Sequence, residues 1–373
     1  MIYLSVFIAS VMLAYFATKL SSQKNKVAIQ ILSLLAILLP ALLAGLRASD
    51  IGTDVEYYII NNFEVARHVS SFKNYLPLIY AKEPLYLAIV YIIAKVFGNI
   101  QVLLFTFSFL TILFVYLSVW KWKKNLSVPL FLLIYYFLYY NDSLNIIRQH
   151  LAMAIILYGI TNLLEGKYRK YLIYIFIASL IHTAALVGII FIICHWYVIG
   201  SKNRTKRKYK KIKEFMVLFA AGISVCGIRI WITLIVNIGL LDSRYLYYFE
   251  KASVSNNLTD TLLYFFEVIF LLCFSKQFNK YIEGYNYLEI NAYLNLIVLQ
   301  LARIMNYGHR LSLYFGIINL LLITQLPKIT KNKKNRLLYS FFIVLIAGIY
   351  WIYIYCIGGM SHTFPYKFYF NAQ

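Results

Sequence analysis

The chain has 373 residues, of which 62% are hydrophobic and 13% charged, with a mean hydropathy of +0.70. That composition excludes a water-soluble domain and predicts an all-α, polytopic integral membrane protein, with residues 1–373 forming one membrane domain. A formal net charge of +22 would suggest nucleic acid in a soluble protein, but here the basic residues gather in short loops between apolar runs, which is orientation signalling and not nucleic-acid binding.

Each crossing needs about 20 apolar residues, and lysine and arginine mark the cytoplasmic loops. The first apolar run, Ile2 to Thr18, has no positive residue before it and Lys19, Lys24 and Lys26 after it. This reverses the charge pattern of a secretory signal, so the run is expected to be a retained helix with its N-terminus outside. Five basic segments, 19–26, 121–124, 167–170, 202–213 and 328–336, are placed in the cytoplasm. A helix over 27–46 then rises outward and delivers the polar stretch Arg47 to Tyr58 to the outer face, opening an external loop, 47–83. Within that loop Ile59, Ile60, Phe63 and Ala66 share one helical face, the pattern of a helix lying on the membrane surface.

The run 84–97 is short for a span and carries Lys95, so it is expected to be re-entrant or tilted, whereas 102–120 is a full crossing. A helix over 128–140 rises to Asn141-Asp142-Ser143, and the next, 145–164, descends with Arg148 in its first turns. The stretch 171–199 holds 29 residues between two basic loops. Two short helices meeting near His182 respect both loops, with irregular backbone facing a watery or protein-lined cavity. Helices follow at 214–238, 261–275, 288–302, 311–326 and 337–356, with 239–260 external and an external tail carrying Pro365-Tyr366. The total is about twelve spans without an internal repeat.

The residues able to carry chemistry are few. Arg148 sits in an apolar helix, where burying an arginine costs about 2.5–3.5 kcal/mol on insertion scales. Either it grips an anion or it snorkels to the outer interface. Arg303, Asn306, Tyr307 and Arg310 recur at helical spacing, as two guanidinium groups on one polar stripe would, suiting the bidentate binding of phosphate oxygens; the alternative is contact with ordinary lipid head groups. His182 is a general base, a donor to pyrophosphate or a packing donor. Asp50 and Asp54 are spaced i, i+4, and either one takes a proton from a sugar hydroxyl or Arg47 pairs with Asp50 to close the loop. Cys194, Cys226, Cys273 and Cys356 lie in apolar runs without metal-ligand spacing. No Walker, Rossmann or Asp-x-Asp pattern is present, so neither a cofactor nor a metal is expected.

Arg47, Gly52-Thr53-Asp54 and Tyr57, then Glu83-Pro84-Leu85-Tyr86, then Asn145-x-x-Arg148-Gln149-x-x-Ala152, then His182-Thr183, then Arg310 with Tyr314-Phe315, and Pro365-Tyr366 follow one another in this order. In that order they resemble the EpsG family of Wzy-like polysaccharide polymerases. The resemblance implies a multi-pass bacterial inner-membrane glycosyltransferase with a GT-C-like architecture. It would join oligosaccharide units carried on undecaprenyl pyrophosphate, on the outer side, with a chain-length regulator as a possible partner. Carried over with it are Arg47, Asp54, Glu83, Arg148, His182 and Arg310. In the resulting assignment Arg47, Arg148, Arg303 and Arg310 hold pyrophosphate, and Asp54, His182 or Glu83 takes the acceptor proton. A flippase for the same lipid-linked glycan, or a membrane acyltransferase modifying it, are the alternatives. The large arginine-rich external loop of O-antigen polymerases has no counterpart in 239–260, which holds only Arg244 and Lys251.

Overall fold

The computed structural model describes residues 2–21, 25–199, 207–239, 243–250 and 258–371. Lys24, the 202–206 part of the fourth basic segment and Lys251 lie outside them. The described chain is α-helical, with Arg47 and Phe368 forming an isolated antiparallel bridge. It is an integral membrane protein: six described helices are long and apolar enough to cross a bilayer, or up to seven if a pair bent by 68° at Gly227 is one span. That pair, Glu214–Cys226 and Ile228–Asn237, replaces the single helix expected over 214–238. The other apolar helices are shorter, so length and composition do not reach the expected total of about twelve. The chain divides into two compact units, one of Met1–Leu186 with Thr330–Gln373, the other of Val187–Ile329.

In the first unit, five helices carry basic residues at the ends joined by the basic loops. Lys26–Gly45, Tyr168–Ser179 and Lys333–Trp351 begin with them, and Ile2–Leu20 and Ile100–Lys121 end with them. Lys121 donates to Asn162 (2.9 Å) and pairs with Glu165 (3.2 Å), tying 121–124 to the segment before 167–170. The helix Ile147–Leu163 runs from that basic end to Arg148, a rise of about 25 Å, close to the thickness of a hydrocarbon core.

Proline chemistry locks the first helices together. Pro40 has no N–H, so the Ala36 carbonyl loses its helical donor; Ser10 Oγ from Ile2–Leu20 supplies one at 2.6 Å and meets the Tyr136 hydroxyl at 2.7 Å. Tyr140 donates to the Pro40 carbonyl at 2.6 Å. Asn141, Asp142 and Ser143, expected in a loop, instead continue the helix that starts at Val128 and are buried. Asn141 accepts from Trp351 Nε1 (2.8 Å) and donates to Thr363 Oγ1 (3.1 Å). Partners on two other elements thus make burial of this polar stretch affordable.

The apolar face at Ile59, Phe63 and Ala66 is buried. Helix Ile60–His68 packs on Pro84–Val96 rather than presenting that face to a membrane surface. Lys95 caps the C-terminus of Ile60–His68, donating to the carbonyls of Arg67 (3.0 Å) and Val69, which accounts for a charge in an apolar run. With 13 residues, Pro84–Val96 is about 20 Å long and too short to span, as expected.

In the second unit, Leu258–Tyr281, Tyr285–Leu299 and His309–Ile323 pack side by side. Lys276, Lys280 and Lys328 lie toward the end where Glu283 N–H meets Gln325 Oε1 (3.3 Å). Arg303 and Arg310 flank the turn at the opposite end, where Asn306 N–H donates to the Tyr248 carbonyl (2.9 Å). The stripe expected over Arg303–Arg310 is broken. The helix closes at Arg303, Tyr307 takes φ +59°, and a new helix begins at His309. Gly308 lies so close to the preceding turn that a Cβ would sit 2.4 Å from the Leu301 oxygen; a continuous helix has no such turn.

Candidate functional site

The polar motifs of the first unit converge at the end of its helices away from the basic segments 19–26, 121–124 and 167–170. Glu83 caps Pro84–Val96, with Pro84 at the position where a missing N–H costs nothing. The next two amides, of Leu85 and Tyr86, donate to the Leu180 carbonyl at 3.0 and 3.3 Å. Orphan donors of one helix start thereby satisfy an orphan acceptor just past the end of Tyr168–Ser179, and they fix Glu83 beside the break that carries His182-Thr183. The helix stops at Ser179 and resumes at Thr183, in keeping with the expected interruption.

Arg148 Nη1 donates to Glu83 Oε2 at 3.2 Å, and Thr183 Oγ1 donates to Glu83 Oε1 at 3.2 Å. The guanidinium carbon lies 4.7 Å from the centre of the Tyr86 ring, whose hydroxyl accepts from Asn62 Nδ2 at 2.9 Å. Burial raises the Glu83 carboxyl, but the Arg148 guanidinium, the backbone, His182 and Thr183 together hold it below the ordinary carboxylate range. The ion pair is partly open, with side chains 27% and 14% exposed for Arg148 and Glu83. Among the described residues no other hydrogen bond occupies the guanidinium, so a fork of donors remains for an anion.

Asn145, three residues before Arg148, binds the Asp54 turn. Its Oδ1 accepts from the Asp54 amide (2.7 Å) and from Thr53 Oγ1 (3.3 Å), while its Nδ2 donates to Ser361 Oγ (3.0 Å). Gly52 is required for this approach. Its φ is +98°, and a Cβ would stand 2.8 Å from the Leu144 oxygen. The Gly52-Thr53-Asp54 and Asn145-x-x-Arg148 motifs are therefore one physical unit. Asp50 and Asp54 do not share a helical face: Asp50 lies in the turn before the helix and pairs with Lys367 (2.6 Å), not with Arg47.

Arg47 requires a correction. It is 1% exposed, and its terminal nitrogens donate to the Ala44 and Leu144 carbonyls, both at 2.8 Å. Burial pushes its guanidinium down to about 10, which leaves it charged at neutral pH. It ties the end of Lys26–Gly45 to the turn before Ile147–Leu163 and is closed to a pyrophosphate. The chain end straps the same loop. Ala48 N–H donates to the Lys367 carbonyl (2.9 Å), Tyr369 N–H to that of Leu46 (3.0 Å), and the Tyr366 hydroxyl to that of Leu43 (2.8 Å). Arg47→Met should therefore lower the amount of folded protein in the membrane, because a buried carbonyl stripped of its donor costs about 1–3 kcal/mol and two are stripped. Membrane immunoblotting against wild type checks this. Normal levels with lost activity would restore a substrate role.

The sequence reading did not identify Tyr86, Asn62 or Ser361 as parts of the site. Tyr86 belongs to the Glu83-Pro84-Leu85-Tyr86 motif, but nothing in its spacing foretold a ring under Arg148. In the second unit Arg303 is exposed, and Arg310 lies 4.5 Å from the Tyr307 ring centre. Among the described residues no group of three or more histidine, cysteine or acidic side chains could hold a metal ion.

No curated protein matches the chain, and no solved structure does. Residues 30–368 match the EpsG family, a range that runs from the helix leading into Arg47 to the tail that straps it. The chain therefore belongs to the EpsG family, a Wzy-like polymerase family, and its role at that level is of the polysaccharide-polymerase type.

Proposed function

We propose that the protein is a glycosyltransferase that moves a growing glycan from one lipid pyrophosphate onto the end of a second lipid-linked unit, working at the outer face of a bacterial inner membrane. The observation that carries this reading is the Arg148–Glu83–Thr183 cluster beside the anchored Asp54 turn. Pyrophosphate is already a good leaving group, so the reaction needs cationic donors to take up its charge and one base for the acceptor hydroxyl. Arg148 supplies the donors, held over Tyr86 and against Glu83 with part of its fork open. Asp54 takes the proton. Glu83, kept ionised by Arg148 and its neighbours, is the weaker base and orients the arginine. Arg303 and Arg310 offer a second anion contact on their own unit.

The outer location rests on charge. Lys26, Lys121, Lys123, Lys124, Arg169, Lys170, Lys333 and Lys334 mark one end of the first unit's helices, and the site is at the other. Tyr57 is 69% exposed beside Asp54. In a background with the four cysteines replaced, Tyr57→Cys should react with an impermeant maleimide in intact cells; reaction only after permeabilisation would overturn the outer location. The reaction itself is tested by deleting the gene and resolving the surface glycan on a gel. Loss of the ladder with one unit retained supports polymerisation, whereas loss of every unit points to export.

A further inference from the structure

We propose that Glu267, Asn291 and Asn295 form a site for one small monovalent cation within the membrane-spanning part of the unit Val187–Ile329. Glu267 is the tenth residue of the 24-residue helix Leu258–Tyr281, about 14 Å along it from Leu258 and so near the middle of the hydrocarbon. An acidic side chain there is a functional-site hypothesis by default. Its hydrogen-bond partner is a neutral amide: Asn319 Nδ2 donates to Glu267 Oε2 at 3.3 Å. Asn291 Nδ2 donates to Asn319 Oδ1 at 2.6 Å and to the Phe315 carbonyl at 2.8 Å. Three helices are thereby tied at one level, and no lysine or arginine among the described residues neutralises the carboxylate.

The second observation is an excess of buried acceptors. Glu267 Oε1, Asn291 Oδ1 and both side-chain atoms of Asn295 are buried and have no hydrogen-bond partner among the described residues. Asn291 is 1% exposed and Asn295 0%. Asn295 follows Asn291 by four residues, on the same face of Tyr285–Leu299. Three unsatisfied oxygens stand against one amide group, Asn295 Nδ2, that meets no acceptor where it lies, so a proton on Glu267 could serve one of the two amide oxygens and would leave the other unserved. One carboxylate charge calls for one positive charge, and carboxylate with amide oxygens is a hard donor set suited to an alkali cation. The nearby Glu289 is already held by the hydroxyls of Tyr285 and Tyr293, each at 2.9 Å to its Oε1.

The test is thermal unfolding of the full chain in detergent, with sodium, potassium or choline chloride at constant ionic strength. Wild type should unfold at a higher temperature in sodium than in choline, with a saturable dependence on sodium, since a ligand that binds only the folded state stabilises it by mass action. Glu267→Gln keeps the shape without the charge and should lose the sodium dependence while unfolding in choline no lower than wild type. Asn295→Ala should raise the half-saturating sodium concentration roughly tenfold. Equilibrium binding of radioactive sodium to wild type should show one site per chain, which keeps the test decisive if a variant fails to accumulate. Equal unfolding in all three salts, sodium dependence surviving in Glu267→Gln, or no bound sodium would overturn the site and leave Glu267 carrying a proton.

Discussion

Cells carrying Arg148→Ala should make surface glycan of single units only, with the variant protein present at wild-type levels in the membrane, and Arg148→Lys should make short chains or none. The structure sharpens the contrast between the two substitutions. Arg148 gives one N–H to Glu83 at 3.2 Å and keeps the rest of its fork. A lysine can reach Glu83 or an incoming phosphate with its single ammonium, but it cannot present the planar fork to both or stack as a guanidinium does on Tyr86. A charge-assisted hydrogen bond contributes about 1.5–3 kcal/mol, so one lost in the transition state slows turnover roughly ten- to a hundredfold. A residue that merely reached for the interface would tolerate lysine, whose stem is as long. The measurement is glycan chain length on a gel beside an immunoblot of the membrane fraction. Wild-type length from Arg148→Lys would return this arginine to a packing role and leave Arg303 and Arg310 as the phosphate contacts to test.

Asp54→Asn should abolish chain growth without loss of protein, because the amide keeps the shape, leaves the Asp54 backbone bond to Asn145 intact and cannot take a proton. Glu83→Gln should shorten chains without abolishing them, since the amide oxygen still accepts from Arg148 while its NH2 donates to the Thr183 hydroxyl, but the side chain no longer fixes the guanidinium by charge. The Glu83 carboxyl is held below its ordinary range in the folded protein. Its ion pair therefore contributes stability that is present above the unfolded carboxylate value of about 4.3 and is lost as pH falls through the lower folded one. Between pH 5 and 8 the pair stays intact, so any pH dependence of chain growth there belongs to another group. Full-length ladders from Asp54→Asn would transfer the base to His182, which lies close enough to Glu83 to bias its charge.

How much of this was legible in the residues differs from element to element. Apolar run length and the placement of lysines were enough for an all-α membrane protein and, in the first unit, for basic loops at one end of its helices, because hydrocarbon leaves the backbone few ways to satisfy itself and charge asymmetry is read locally. The short helix at 84–96 and the interruption at 180–182 were also local facts, set by Pro84 and by a run of residues too long for one span and too short for two. The order of the motifs was enough to suggest the family. What sequence could not supply was which motif meets which. Asn145 clasping Asp54, Glu83 meeting Arg148 across 65 residues, and the tail laid along 46–48 depend on long-range pairing that no local periodicity encodes. The same limit explains the errors. Arg303 to Arg310 kept helical spacing, yet the close approach at Gly308 bends the chain there. Asn141 to Ser143 looked like a loop until Trp351 and Thr363 supplied partners that let a polar turn stay helical and buried. Arg47 looked like a free cation beside a membrane. Only the carbonyls of Ala44 and Leu144, brought together by packing, decided that it holds the loop in place while Arg148 keeps its donors open.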